Sequence, residues 1–150
     1  MSELSHLDPE GRARMVDVGG KAILRRTARA AGLIRIDPET LALVRENRTR
    51  KGDVLTVAEV AGIAAAKRTA EMIPLCHPLG LDQVEVRTRV TVQGIEVEAE
   101  VRTQGRTGVE MEALTAVSVA LLTVYDMCKS SDRGMTITEV RLLEKTKEEA

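Results

Sequence analysis

The stretch Val84-Glu85-Val86-Arg87-Thr88-Arg89-Val90, followed across Gln93-Gly94 by Ile95-Glu96-Val97-Glu98-Ala99-Glu100-Val101, decides the fold. Apolar and charged residues alternate with period two on both sides of a turn dipeptide, the pattern of an antiparallel hairpin with one buried and one charged face. Working outward, Thr107-Gly108-Val109-Glu110 matches a capping box, and the apolar run behind it predicts a helix to roughly Lys129. Met135 to Leu143 alternates again and predicts a last strand.

On the N-terminal side, Asp53 is placed to cap a helix through Val57, Val60, Ala61 and Ala64 to about Met72, stopped by Pro74. Asp37-Pro38-Glu39 starts a short helix ending near Asn47. Short Val-, Ile- and Arg-rich runs from Met15 to Ile36 predict strand around a Gly19-Gly20 turn, and residues 1–13 are expected as a flexible arm. Strand, helix, hairpin, helix, strand is the split βαβ order of an α+β, ferredoxin-like sandwich: an antiparallel sheet with helices on one face. The other sheet face is expected to carry many apolar and small positions and so to favour self-association.

A chain of 150 residues, 43% hydrophobic and 30% charged, is long enough for one domain (1–150) and apolar enough to fold. With 22 Lys and Arg against 23 Asp and Glu, it has no general basic face for nucleic acid. Tyr125 is the only aromatic residue, so no base-stacking platform exists. The apolar run Ala113–Tyr125 falls short of the roughly 18–20 residues of a membrane span, and the start lacks a signal-peptide pattern. Two cysteines make no disulfide framework, which fits a cytoplasmic chain with reduced thiols.

Three places can carry chemistry. Pro74 and Pro78 stiffen the loop that holds Leu75, Cys76 and His77, which suits a ligand-contacting imidazole or a histidine satisfied by a backbone carbonyl. Cys76, Cys128, His6 and His77 lack the paired spacings of a metal site. Arg48-Thr49-Arg50-Lys51-Gly52-Asp53 precedes a helix and offers either a phosphate contact or a solvated loop in which Asp53 is an ordinary cap. Asp126 follows the long apolar run at the negative helix end, where the dipole and partial burial are expected to raise its pKa and let it donate a proton near neutral pH. Lys129 is three residues on, as an ion-pair or proton-transfer partner.

Glu110 and Glu112 stand in the first turn of the same helix. Fourteen residues separate Glu112 from Asp126, about 21 Å of helix. One compact site therefore cannot hold both from one chain: either the ligand is elongated or a second subunit completes the site. Ala113, Ala116, Ser118 and Ala120 on this helix, with Ala58, Gly62, Ala65 and Ala66 on the other, permit close helix packing.

Taken together, Met15-Val16-Asp17-Val18, Lys51-Gly52-Asp53-Val54, Ala65-Ala66-Lys67-Arg68-Thr69, Pro74-Leu75-Cys76-His77-Pro78-Leu79, Gly108-Val109-Glu110-Met111-Glu112-Ala113-Leu114-Thr115 and Tyr125-Asp126-Met127-Cys128-Lys129 resemble the molybdenum cofactor biosynthesis protein C family, the cyclic pyranopterin monophosphate synthases. The likeness runs from about His6 to Leu143. It implies a ferredoxin-like homohexamer, a trimer of dimers with active sites at dimer interfaces. It also implies a lyase that converts the 3′,8-cyclised dihydroguanosine triphosphate, made by a radical S-adenosylmethionine GTP cyclase, to cyclic pyranopterin monophosphate and diphosphate. By the same resemblance Asp126 is the acid/base, Lys129 its partner and Lys51 also catalytic. Leu75, Cys76, His77, Met111 and Glu112 contact substrate, and Glu110 and Arg26 are further transfers. No protein-held metal is implied, and Mg2+ is compatible with the triphosphate. Gly19 departs from the family, whose members often carry Ser there. Two other readings compete: a non-catalytic nucleotide-binding module on the same fold, and a structural oligomer whose small-residue helices only pack.

Overall fold

The computed structural model describes residues 5–150. The expected hairpin forms as β2 (Gln83–Val90) and β3 (Gly94–Gly105), antiparallel, with Val84 opposite Val101 and Val90 opposite Ile95. Gly94 is obligatory at the turn, because a Cβ there would lie 1.8 Å from the Ile34 carbonyl oxygen. β3 pairs on its other side with β1 (Leu24–Arg35), and β1 with β4 (Thr136–Glu149), giving the antiparallel order β2-β3-β1-β4 of the split βαβ arrangement.

Ala28, Ala30, Ile34, Ile95, Val97, Ala99 and Val101 point to one face and are buried there under the helices. The covering helices are α2 (Val54–Lys67) and α4 (Glu110–Cys128), which meet where a Cβ on Gly62 would lie 2.9 Å from the Ala116 carbonyl oxygen. The small residues are thus a packing device. α1 (Pro38–Arg45) starts as expected, with the Asp37 carboxylate accepting from the Thr40 amide at 2.7 Å and Pro38 in the first position.

Several boundaries differ from expectation. Strand begins at Leu24, not Met15; the Gly19-Gly20 turn exists, closed by Asp17 accepting from the Gly19 amide, but residues 15–23 have no sheet neighbour. Of the expected arm, residues 1–4 lie outside the described residues. Leu7 and Ala13 form a bridge around a turn held by the Asp8 carboxylate. The second long helix breaks at Arg68, and a short α3 (Thr69–Met72) follows, with the Thr69 hydroxyl donating back to the Ala66 carbonyl. β4 runs six residues beyond Leu143.

α4, at 19 residues, is long and apolar enough by length and composition to cross a membrane, which the shorter Ala113–Tyr125 run did not suggest; in the fold half of its most apolar window is buried against the sheet and α2. The capping box is not made. Val109 is the N-cap without a side-chain bond, and Glu110 is the first helical residue, its carboxylate folded back over Gly108. A box needs Glu at the third helical position, two residues later than the helix start allows.

The outer sheet face is also not the expected apolar one. Alternation sends Glu96, Glu98 and Glu100 outward, where Arg29 bridges Glu98 and Glu144 and Arg89 pairs with Glu96. Exposed apolar side chains lie along the edge strand β4, at Val140, Leu142 and Leu143, and on the helices, where Val57 and Val60 on α2 and Met111 and Leu122 on α4 are uncovered.

Candidate active site

The sequence-derived residues gather at the two poles of α4. At its C-terminal pole Asp126 stands between two ammonium groups: Lys51 Nζ is 3.1 Å from one carboxylate oxygen and Lys129 Nζ 3.0 Å from the other. Lys51 also donates to the Asp126 carbonyl oxygen at 3.0 Å, one of those left free in the last helical turn. Lys129 arrives by helical spacing. Lys51 arrives from the loop between α1 and α2, where Gly52 adopts φ +99° and its carbonyl accepts from the Thr49 hydroxyl.

All three side chains are about half exposed, which corrects the expected titration of Asp126. Hydrogen bonds from Lys129 and then Lys51 hold its carboxyl below the usual carboxylate range, outweighing both the helix pole and the little burial it has. Asp53 accepts from the Thr56 amide at 3.1 Å and occupies the helix start, while Arg48 pairs with Glu46.

Asp132, which sequence reasoning missed, anchors this pole. Its buried carboxylate accepts from the Asp37 amide and the Gly134 amide, each at 2.8 Å, tying the loop after Lys129 to the end of β1. Only the short Ser-Asp-Arg-Gly turn signal could have pointed to it.

At the N-terminal pole a cavity of about 280 Å3 opens between the 73–79 loop, residues 16–21 and the first turn of α4. Leu75, Cys76, His77, Met111, Glu110 and Glu112 all line it. His77 donates from Nε2 to the Val16 carbonyl, so the backbone-satisfied histidine and the cavity-lining one are the same residue. A smaller cavity of about 110 Å3 continues past His77 and Glu112 toward Lys67 and Arg68.

The electrostatics are the reverse of the other pole. Glu112 is 4% exposed and burial pushes its carboxyl up, with the neighbouring Glu110 adding to the shift. The Cys76 thiol is likewise raised, first by burial and then by Glu112 and Glu110. Glu110 has a cation, Lys145 at 3.3 Å. Lys145 was missed because the expected strand stopped at Leu143, where apolar alternation gives way to Lys and Glu; Lys21, also on the cavity wall, carried no signal of its own.

Arg26 is not on the cavity wall. It donates to the Gly105 and Arg106 carbonyls at 3.0 and 3.2 Å, clamping the end of β3 where the chain turns toward α4. Thr107 lines the same cavity, and its hydroxyl is buried without a partner among the described residues. Among those residues no three His, Cys, Asp or Glu side chains converge as a metal cage.

Residues 15–148 match the model of the MoaC family. The chain is 63% identical over 147 residues to the cyclic pyranopterin monophosphate synthase of Thermomicrobium roseum, covering 97% of this chain and 89% of that protein. It is 61% identical over 148 residues to the protein of the same name from Methylobacterium sp. (strain 4-46), covering 97% and 92%, and 58% identical over 146 residues to that of Chloroflexus aurantiacus, covering 96% and 90%.

Proposed function

The chain belongs to the MoaC family, and on that premise we propose that it is a lyase of molybdenum cofactor biosynthesis, converting the 3′,8-cyclised dihydroguanosine triphosphate to cyclic pyranopterin monophosphate and diphosphate. The observation that carries this reading is the Lys51–Asp126–Lys129 cluster. Turning a triphosphate into a cyclic monophosphate requires a hydroxyl oxygen of the same molecule to bond to the α-phosphorus while the bond to the diphosphate breaks. The hydroxyl proton needs a base, and the leaving diphosphate needs positive charge.

Asp126 is ionised at neutral pH, so it enters the reaction as the base. The two lysines that keep it ionised supply the cations for the departing anion. Proton donation by Asp126 comes only after it has taken one up, a reversal of the role expected from a raised pKa.

The cavity at the other pole holds the rest of the substrate, through Leu75, Cys76, His77, Met111 and Glu112. About 21 Å of helix keeps it from Asp126 within one chain. The exposed seam of Met111 and Leu122 on α4 and Val57 and Val60 on α2 supports a second copy packing antiparallel across α4. A twofold axis near Val119, midway between Glu112 and Asp126, would place Glu112 of one copy beside Asp126 of the other at an ordinary interhelical separation of about 8–10 Å. Further copies would build the homohexamer that the family resemblance implies. A radical S-adenosylmethionine GTP cyclase supplying the substrate, and residence in the cytoplasm, belong to the same reading.

The test is diphosphate release from the cyclised triphosphate by Asp126→Asn and Lys129→Ala. Both variants should fold and assemble as the parent does and lose turnover. Full activity in either rejects the assigned roles, and saturable binding by the parent without turnover would leave only a nucleotide-binding module.

A further inference from the structure

Two carboxylates are buried among the described residues, Glu112 and Asp132, and Asp132 stands at the pole that carries Lys51, Asp126 and Lys129. Among those residues it has no cation; its two oxygens accept from backbone amides, one from Asp37 and the other from Gly134. Burying a charge is costly. What a carboxylate supplies here, and Asn does not, is acceptance in two directions at once, because Asn would turn its NH2 group toward one of the two donors.

Both ends of the Asp132–Asp37 link are rigid. Asp132 extends α4, because the amides of Ser131 and Asp132 donate to the Cys128 carbonyl at 2.9 and 3.1 Å. Asp37 is the N-cap of α1, with its carboxylate on the Thr40 amide and its carbonyl accepting from the Leu41 amide at 3.0 Å. Beyond α1 the chain stays bonded to itself: the Arg48 amide donates to the Leu43 carbonyl at 2.8 Å across Asn47, which adopts φ +53°, and the turn closed between Thr49 and Gly52 then presents Lys51. No helix or strand runs closely alongside α1. Leu41 and Val44 seat its inner face in the core, and the Asp132 bond fixes its start against the end of α4. Together with the Lys51–Asp126 contact, that bond closes a ring.

We infer that Asp132 is a positioning residue of this site: by holding the start of α1 at the end of α4, it sets where Lys51 stands relative to Asp126. Lys129 does not need it, since Lys129 is the C-cap of α4 itself, its amide bonded to the Tyr125 carbonyl at 2.9 Å. The inference rests on the reading of Lys51 as a cation for the diphosphate and goes beyond it by naming the residue through which the fold places that cation.

Inorganic pyrophosphate titrated into the full-length protein is the probe. Lys51→Ala should weaken its binding about tenfold, the loss of one hydrogen bond to a charged group, and Asp132→Asn about three- to tenfold. Asp132→Asn added to Lys51→Ala should weaken it no further, because a residue that acts through a side chain has nothing left to act on. Added to Lys129→Ala, it should keep its full effect. Turnover of the cyclised triphosphate by Asp132→Asn should fall on the order of ten- to a hundredfold at saturating substrate, the cost of a group misplaced by about 1 Å. The Asp126 carboxyl carbon, followed by 13C NMR, should titrate at higher pH in Asp132→Asn than in the parent, and Lys51→Ala should shift it the same way.

An equal further loss when Asp132→Asn is added to Lys51→Ala overturns the inference, since a residue that only supports the fold acts whether or not Lys51 is present. So does an Asp126 titration that stays at the parent's value in folded Asp132→Asn. Should that variant fail to assemble, Asp132→Ser, which keeps a short acceptor, takes its place; failure of both assigns Asp132 to the fold alone and overturns the inference as well. Pyrophosphate that does not bind the parent, or binds Lys51→Ala equally well, would instead defeat the diphosphate reading of Lys51, while the Asp126 titration still decides whether Asp132 places it.

Discussion

Two carboxylates stand at the two poles of one helix, and each titrates against what its pole alone would dictate. Glu112, in the first turn, sits where the helix dipole favours negative charge, yet burial pushes its carboxyl up. Asp126, in the last turn, sits where the dipole disfavours charge, yet Lys129 and Lys51 hold it low. The dipole contributes about 0.3–1 kcal/mol at an exposed terminus. Removal from water at one end, and two direct ammonium contacts at the other, are the larger effects. The two poles differ accordingly: an exposed, lysine-flanked carboxylate at one, and a buried carboxyl at the other.

Breaking the wet pole should have the largest effect on function. Asp126→Asn and Lys129→Ala are each expected to lower the rate of diphosphate release on the order of 100- to 10,000-fold, the usual contribution of a positioned proton-transfer group. Melting temperature should move little, because exposed ion pairs are worth only about 0–1 kcal/mol. A fall in activity that tracks a loss of folded protein would make Asp126 a structural residue and erase the distinction between the poles.

Mixing the poles sharpens the comparison. Asp126→Asn and His77→Ala damage opposite ends of α4, so each is expected to be nearly inactive alone. If every site joins one copy's His77 end to another copy's Asp126 end, random exchange of subunits restores about a quarter of the parent's activity, because half of the dimers are mixed and each has one intact site of two. Activity of the subunit-exchanged mixture is the measurement. No recovery, with exchange demonstrated, would mean that both damaged residues serve a site formed by a single chain and would reject the antiparallel pairing across α4.

Much of this was legible in the sequence, for reasons that differ by element. The hairpin was secure because Val84–Val90 and Ile95–Val101 alternate over full strands and Gln93-Gly94 marks the turn. Lys129 was visible as a partner of Asp126 because helical spacing brings it there. Lys51 was singled out as a basic residue, but its pairing with Asp126, 75 residues away, is a tertiary event that no local rule encodes. The sign of the Asp126 shift failed because burial was expected to accompany the helix pole, whereas the carboxylate is exposed and hydrogen bonds from Lys129 first, and then Lys51, outweigh both. The box at Thr107 and Glu110 failed because its residue types were right while the helix began at Glu110 itself. Lys145 was lost where β4 turns from apolar alternation to Lys and Glu, which edge strands tolerate and periodicity does not register.

The dry pole makes a smaller prediction, on stability. A folded-state pKa above the unfolded value of about 4.3 means that the native protein binds the Glu112 proton more tightly than the unfolded chain does. Stability therefore falls as pH rises from the unfolded value through the raised one, and the penalty persists above it. Glu112→Gln removes the charge but keeps the volume, so its melting temperature should exceed the parent's at pH 7. The gap should close below about pH 4, where both carboxyls are neutral. A variant less stable than the parent at pH 7 would mean that the buried carboxylate has a cation after all, supplied by a second copy.

The smallest effect belongs to Asp126, and its sign is opposite. Its folded-state pKa lies below the unfolded value of about 3.9, so its ion pairs contribute stability above that value and lose it as pH falls through the depressed one. Comparing parent and Asp126→Asn, the parent's small advantage in melting temperature should be present at pH 6, shrink below about pH 4 and vanish in more acid solution. Because the carboxylate and both ammonium groups are exposed, molar salt should erode the same advantage at pH 6 without touching the Glu112 effect, which arises from burial. An Asp126 contribution that resisted salt and grew toward low pH would show a carboxyl shielded from water, and the contrast between the two ends of α4 would then be one of degree, with desolvation governing both.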